Sequence, residues 1–501
     1  MQKELVLVSN LLIYFTNLGG ITLGDSKDVL FFVEHVVREL FADVLIAEVL
    51  SRISINVSLC TTKYRPFLSA IKNNPKIVIV PWYTNGKGSE RAFQQIKHTL
   101  NPTLINSHQE QISLGLTEDF IYGEPTSVID YHFSWGKKYA SQLIQRGICD
   151  STQIFVTGSP RFDLIKLKYF NISSKNIFSK KFSLDENKPW ILFCSNFSPA
   201  NYGYLEILDL KRKKIDGESL VSIFKMARSE WEKWISGLAA AFPEAEIIIR
   251  PHPGENQMYY NILCDKLTSN NIKIIRQEPI HKWMNVSDII LTWTSTSMIE
   301  SWVMGKPTFS MSLCELPMKL KGEYFKGIHW GCSIDKLLKL VEKALSGDYT
   351  IPEKIQKKRE KFLNEYYHNA DGLAIFRIVA ILNYLIQHKK NSKRIKPLII
   401  SSEYQKELAR SILLRLNKIL KVNLKNQSKV KQLWEQSEDY FDDTSIDIIS
   451  NEMGRYLTST STMIECIINR EYKFEQKDYG IEVVFNGDSV DRYFENNVNS
   501  K

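Results

Sequence analysis

The sequence predicts an α/β protein with two Rossmann-like halves facing a central cleft and a mainly helical C-terminal extension. Three observations predict it. From Asp28 short β-rich runs alternate with helix-length amphipathic segments, the way a parallel sheet is written. The alternation stops in a polar Lys/Asn/Ser-rich stretch, 166–188, and then starts again. After His388 the composition turns basic and then acidic. The expected divisions are an N-terminal extension (1–27), a first half (28–165), a linker (166–188), a second half with closing helices (189–388) and the C-terminal extension (389–501).

In the first half, DVLFFVE (Asp28–Glu34) reads as a strand and HVVRELFADVLIAEVLSR as a helix with apolar residues at helical spacing. ISINVSLC, PKIVIVPWY and TLINSHQ are the next strands. VIDYHFSW, the helix GKKYASQLIQRG and the strand QIFVTGSP complete the series. In the second half, PWILFCSNFS is the opening strand, followed by the long helix around SLVSIFKMARSEWEKWISGLAAAF. EAEIIIRPHP, NIKIIRQ and SDIILTWTS are strands, SMIESWVMG is a helix and KPTFSM a strand. SIDKLLKLVEKALSG and a charged helical stretch from Pro352 to Gln387 close the half. Ligands of open α/β sheets sit beyond the carboxyl ends of strands, so candidate residues are sought just after them.

Length and composition agree with more than one core: 501 residues, 44% hydrophobic and 24% charged, outside the disordered and fibrous classes. A net charge of +9 slightly favours anionic partners. Seven scattered cysteines without CxxC or Cys/His spacing support neither a zinc site nor a disulfide framework. The N-terminal apolar run lacks a basic region and a cleavage site and is too short to span a bilayer, so a cytoplasmic protein is expected and the sequons at Asn56 and Asn171 are chance. No 20–50-residue period suggests a solenoid. In the extension, LARSILLRLNKILKVNL places Leu/Ile on one face and Lys/Arg on the other. It reads as a solvated helix packed on the body or as a contact to an anionic membrane surface, with nucleic acid the weakest reading.

Two constellations carry chemistry. In IIIRPHPGE, prolines flank His252 and block both strand pairing and helix, so the imidazole projects from a strand end. Arg250 and His252 can both donate to a phosphate, and Glu255 is counted with them among the candidate phosphate- and nucleotide-binding residues. A lone histidine there would ordinarily be a satisfied structural residue; the Arg/His pair favours anion binding. In DIILTWTSTSMIESWVMGKP a buried strand runs into Thr294, Ser295, Thr296 and Ser297, which open a helix. Helix N-terminal amides with neighbouring hydroxyls suit a phosphate, whereas a simple N-cap needs only one hydroxyl. Glu300 is either a first-turn carboxylate or an acceptor for ribose hydroxyls. No Walker A or GxGxxG motif competes.

His-Pro at a strand end, a Ser/Thr cluster opening a helix, and then Gly305-Lys306-Pro307 resemble the GT-B glycosyltransferases that use cytidine-nucleotide donors: bacterial sialyl- and polysialyltransferases, capsule β-Kdo transferases and CDP-glycerol transferases. From Asp28 to about Asn383 the chain is more specifically similar to the bacterial surface carbohydrate biosynthesis group. Its marks here are VVREL at Val36–Leu40, FSWG at Phe133–Gly136, VTGSPRFDLI at Val156–Ile165, ILFCSNFS at Ile191–Ser198, RPHPGE, the STS cluster and HNADG at His368–Gly372.

The resemblance implies a GT-B fold with acceptor chemistry in the first half and a nucleotide-sugar donor, CMP- or CDP-linked, in the second. Arg250 and His252 would face the donor phosphate, Thr294 to Ser297 complete its cradle and Glu300 approach the ribose. Backbone from Glu278 to Ile280 would meet the base, with Asn196 and Ser198 as further phosphate contacts. No metal or other cofactor would be obligatory, because the protein stabilises a departing phosphate directly. The acceptor would be a saccharide or a lipid-linked glycan. Candidate bases are Glu110, Glu34 and Asp163; the related proteins often carry consecutive acids near the position of Glu110, where this chain reads His-Gln-Glu-Gln. Arg38 and Arg161 are read as structural partners of such acids. A UDP-GlcNAc 2-epimerase-like enzyme or a non-catalytic nucleotide- or glycan-binding protein would share the same features.

Overall fold

The computed structural model describes residues 26–83, 89–112, 125–166, 174–212, 215–252, 254–267, 269–389 and 441–498. The basic segment 408–424 and nearly all of the N-terminal extension lie outside them. Two compact units are present, one drawn from Met1–Gln111, Tyr122–Thr157 and Ala374–Lys501, the other from Ile112–Ile121 and Gly158–Leu373.

The first unit is built on an eight-stranded sheet. Its strands are β1 (Val29–Val33), β2 (Val57–Thr61), β3 (Ile77–Val80), β4 (Thr103–Asn106), β5 (Tyr131–Ser134) and β6 (Ile154–Val156). They run parallel in the order β2-β1-β3-β4-β5-β6. Wholly buried runs such as VLFFV and IVIV belong in a sheet covered on both faces. The chain goes from β1 outward to β2 and then back across β1 to β3, so the crossover direction reverses between β1 and β3. Beyond the expected elements, helices Pro66–Asn73 and Ser89–Leu100 cover this sheet, with Phe67, Phe93 and Ile96 in its core.

The second unit has a six-stranded sheet: β7 (Trp190–Cys194), β8 (Glu246–Arg250), β9 (Ile272–Ile274), β10 (Ile289–Thr292), β11 (Thr308–Met311) and β12 (Trp330–Gly331). The order β12-β11-β10-β7-β8-β9, all parallel, is the 6-5-4-1-2-3 order of the dinucleotide-binding fold, with its switch point between β7 and β10. The long helix Gly217–Ala241 is capped by Asp216, which accepts the Ser219 amide. Its Leu220, Phe224, Ala227, Trp231 and Leu238 recur at helical spacing and bury against the sheet. Trp231 stacks on Phe193 with ring centres 5.1 Å apart.

Three boundaries differ from the sequence reading. The first unit hands over at Thr157, so Arg161 and Asp163, on the helix Pro160–Lys166, belong to the second. The supposed linker contains the helix Lys175–Phe182, whose Phe178 and Phe182 pack on Trp283; aromatic burial wins over polar flanking composition. The charged helical stretch from Pro352 to Gln387 divides into Glu353–Tyr367 and Ala374–His388, separated by left-handed backbone at His368, Asn369 and Ala370. The second of these is apolar nearly all round and is a core helix of the first unit, packed on Phe41–Arg52.

Nor is the described part of the C-terminal extension an appendage. It holds the consecutive helices Asp443–Ser459 and Ser461–Ile468, then a hairpin, β13 (Tyr472–Lys477) and β14 (Gly480–Phe485), and then the helix Gly487–Val498. β14 pairs parallel with β6 and lengthens the first sheet, burying Phe155 against Phe474. Helix Asp443–Ser459 packs on Phe41–Arg52, where Ser450 Oγ donates to Glu48 Oε1 at 2.6 Å.

Candidate functional site

In the second unit the carboxyl ends of three neighbouring strands carry both motifs. Cys194, which ends β7, is in register with Arg250 on β8 and Thr292 on β10. Strand spacing of about 4.8 Å therefore brings the His-Pro turn and the Ser/Thr loop to either side of the turn after β7. Burial pushes the Cys194 thiol up to about 12, with Glu300 adding to the effect and Ser297 and Arg250 opposing it.

Glu255 organises the turns. It is buried, and its Oε1 accepts Ser195 Oγ at 2.5 Å, the Phe197 amide at 3.0 Å and the His252 amide at 3.2 Å. Its Oε2 accepts the Tyr260 hydroxyl. Burial, and then the Glu255 charge, hold that phenol well above its ordinary value. The expectation that Glu255 touches a phosphate is corrected: a carboxylate so supplied with donors ties the turns after β7 and β8 together.

Arg250 is likewise committed inward. Its guanidinium donates to the carbonyls of Gln277 at 2.7 Å, Ile275 at 3.3 Å and Glu278. These bonds shape the segment after β9, where Glu278 has φ +67° and Lys181 reaches its carboxylate at 2.5 Å. Ile280 then opens the helix Ile280–Val286 and packs partly buried beside Trp283. His281, in that first turn, is pushed down to about 3 by burial, then by Lys282, Arg250 and Arg161. Arg161 therefore stands in a cluster of positive groups, a neighbourhood the sequence reading did not assign to it.

His252 is exposed, with Nδ1 3.2 Å from Ser198 Oγ and 3.1 Å from the Gly254 amide. After β10, Thr294 is buried and accepts a long bond from Asn196 Nδ2 at 3.4 Å, while its carbonyl takes the Tyr324 hydroxyl at 2.8 Å. Ser295 Oγ lies 2.7 Å from Ser297 Oγ and accepts the Ser297 amide. Ser295, Thr296 and Ser297 are half-buried, and Glu300 lies one turn on in the helix Ser297–Val303.

In the first unit, Glu34 follows β1 and Trp82 follows β3, so they meet where the crossover direction reverses. Trp82 Nε1 donates to Glu34 Oε2 at 2.6 Å, and His35 Nε2 lies 3.8 Å from Glu34 Oε1. The turn is held from beneath by Glu39, whose Oε2 accepts the Glu34 and His35 amides. Burial raises Glu39, with Arg38 opposing; burial and then Glu39 raise Asp43, one helical turn on, well above its usual range. Glu110 is instead paired with Arg38 at 3.2 Å, both partly exposed. The backbone beside it is set by a buried chain: Tyr139 Oη to His108 Nδ1, and His108 Nε2 to His132 Nδ1, each 2.8 Å.

Asp163 is corrected as a base. It lies in the second unit and is only 1% exposed, so a substrate hydroxyl has no access to it. Glu34 and Glu110 are the two candidates that remain together in one unit. Sequence reasoning missed Trp82, Tyr260 and Arg276, whose guanidinium donates to the Glu255 carbonyl at 3.3 Å; the Trp after PKIVIVP was the one visible signal, a polar-tipped aromatic immediately following a buried strand.

The protein so defined has a dinucleotide-type sheet bearing a polar site at its switch point and a second, mostly parallel sheet with Glu34 at its own. No protein-family model matches the sequence. No curated protein matches it either. Among solved structures it is similar to S. aureus MnaA with UDP (TM-score 0.49, 14% identity, 74% of this chain and 100% of that one). It is similar also to the wall teichoic acid polymerase TagF (0.47, 12%, 78% and 98%). A third is the Neisseria meningitidis UDP-GlcNAc 2-epimerase bound to UDP-GlcNAc (0.46, 15%, 72% and 100%).

Proposed function

We propose that the protein is a GT-B-type glycosyltransferase of surface polysaccharide assembly, of the capsule or lipopolysaccharide kind. It transfers a sugar from a CMP- or CDP-linked donor to a saccharide or lipid-linked acceptor. The observation that carries this is the register of Arg250, Cys194 and Thr292, which brings the His-Pro turn and the Ser/Thr loop to the switch point of a dinucleotide-type sheet. His252, Asn196 and the hydroxyls of Ser295, Thr296 and Ser297 would surround the donor phosphate. Glu300 would take the ribose, and the backbone from Glu278 to Ile280 the base. Arg250 would act through the 275–278 carbonyls, shaping that segment while its charge, with those of Arg161 and Lys282, makes the region favourable to an anion.

In the transfer, an acceptor hydroxyl attacks the anomeric carbon, the bond from that carbon to the phosphate oxygen breaks, and its electron pair leaves with the nucleotide. Glu34 is the favoured recipient of the hydroxyl proton, since Trp82 fixes one of its oxygens, whereas Glu110 is engaged by Arg38. The basic composition of 389–431 supports work at the cytoplasmic face of an anionic membrane, where lipid-linked acceptors are anchored.

The test is a thermal-shift panel of CMP, CDP, UDP, GDP and their sugars on the full chain and on His252→Ala. A cytidine preference lost in the variant is expected. Response to UDP alone, with interconversion of UDP-sugars and no acceptor, would establish the 2-epimerase reading instead.

A further inference from the structure

The ring of His252 has a defined proton. Its Nδ1 accepts the Gly254 amide at 3.1 Å, and an amide N–H has no lone pair to offer, so Nδ1 presents its own. The proton of the neutral imidazole then belongs on Nε2. Ser198 Oγ, 3.2 Å from the same Nδ1, must be a donor as well. A Cβ at residue 254 would come within 3.2 Å of Ser198 Oγ and 3.4 Å of His252 Nδ1 and so would crowd this pair. The main chain is fixed too, because the His252 amide donates to buried Glu255.

We infer that Ser198 and Gly254 form a tautomer lock that presents His252 as a neutral Nε2–H donor, making Ser198 a positioning residue rather than a ligand contact. The ligand, a phosphoryl oxygen, rests on the proposed function; the lock is a property of the unliganded protein. Protonating Nδ1 would set an N–H against the Gly254 N–H, so the site recognises an anion through a hydrogen bond and not through an imidazolium charge. The charged groups nearby are Glu255 on the same turn, Arg250 at the end of β8, and Arg276 after β9, which donates to the Glu255 carbonyl at 3.3 Å.

The experiment is two-bond ¹H–¹⁵N correlation of the histidine-labelled full chain, with His252 assigned by its disappearance in His252→Gln. A protonated Nε2 and bare Nδ1 at neutral pH, before any nucleotide is added, are expected. Protonated Nδ1, or both nitrogens protonated, would overturn the lock. In Ser198→Ala only the Gly254 amide is left to hold Nδ1 bare, so the Nδ1–H form should become partly populated and CMP should bind about tenfold more weakly, the loss of one well-aimed hydrogen bond to a charged group. Ser198→Thr, which keeps the hydroxyl, should restore both. If Ser198→Ala leaves the tautomer unchanged, Ser198 is no part of the lock. If the lock is found but CMP leaves the Nε2 resonance unmoved, the nucleotide reading fails and the tautomer assignment stands.

Discussion

Asn196 Nδ2 lies 3.4 Å from Thr294 Oγ1, joining the turn after β7 to the loop after β10 across the switch point of the second sheet. The bond is long and its partners differ in burial: Thr294 is closed off, Asn196 half-open. A ligand phosphate between these loops would compete for the Asn196 amide. Asn196→Ala should therefore cost little stability, about 1 kcal/mol in a urea titration, yet remove most of the thermal shift produced by CMP. Loss of stability with an undiminished CMP response would confine Asn196 to a structural role.

Arg250 should behave in the opposite way. Lysine is a point donor and cannot span the carbonyls of Ile275, Gln277 and Glu278. Arg250→Lys is expected to lower unfolding free energy by about 2 kcal/mol, because the buried Ile275 carbonyl and the half-buried Glu278 carbonyl lose a charged donor while Gln277 keeps only Trp283 Nε1. Hydrogen exchange should rise across 275–281. An unchanged denaturation midpoint would show that the guanidinium does not hold this segment.

Glu34→Gln should abolish transfer while leaving donor affinity intact, since the amide oxygen can still accept from Trp82 but takes no proton. Glu110→Gln, which breaks only a partly exposed pair with Arg38, should retain activity within a fewfold. The reverse ranking in a turnover assay would move the base to Glu110.

Burial pushes His132 down to about 4, and burial with His132 beside it holds His108 well below its ordinary value. Both rings are neutral when folded, whereas the unfolded chain takes up protons below about pH 6.5. Their contribution is present above that pH and lost as pH falls toward about 4, with a slope near 1.4 kcal/mol per pH unit for each histidine. Urea midpoints should fall accordingly between about pH 6.5 and about pH 4.5, and His132→Gln should flatten the slope. A slope identical to wild type would contradict this.

Truncation after His388 should unfold the first unit rather than trim it. It would strip β14 from β6 and uncover the helix Phe41–Arg52. Loss of cooperative unfolding, or recovery only as aggregate through the bared strand edge, is the expected outcome. A stable, monodisperse 1–388 fragment would refute it.

The periodicities of the sequence were sufficient for most of the strands, because buried runs such as VLFFV, WILFC and EIIIR are fixed by local pattern and by the residues that terminate them, but not for every covering helix, as Pro66–Asn73 and Ser89–Leu100 show. The candidate residues after β7, β8 and β10 were legible on the same ground: a strand ends where Pro or a hydroxyl cluster begins. Side-chain partnership was not legible, since it depends on which strands become neighbours. Only the order β10-β7-β8 brings Ser198 to His252 and Asn196 to Thr294, and only the third dimension turns Glu255 and Arg250 inward, where buried amides and carbonyls need their charge. The hairpin β13–β14, and the place of the helix Ala374–His388 in the first unit, escaped for a related reason. They belong to a sheet and core begun far earlier in the chain, and long-range pairing leaves no mark in a local window. Sequence alone determined where strands end and what chemistry stands there; tertiary structure decided which of those groups are held inside and which remain at the site.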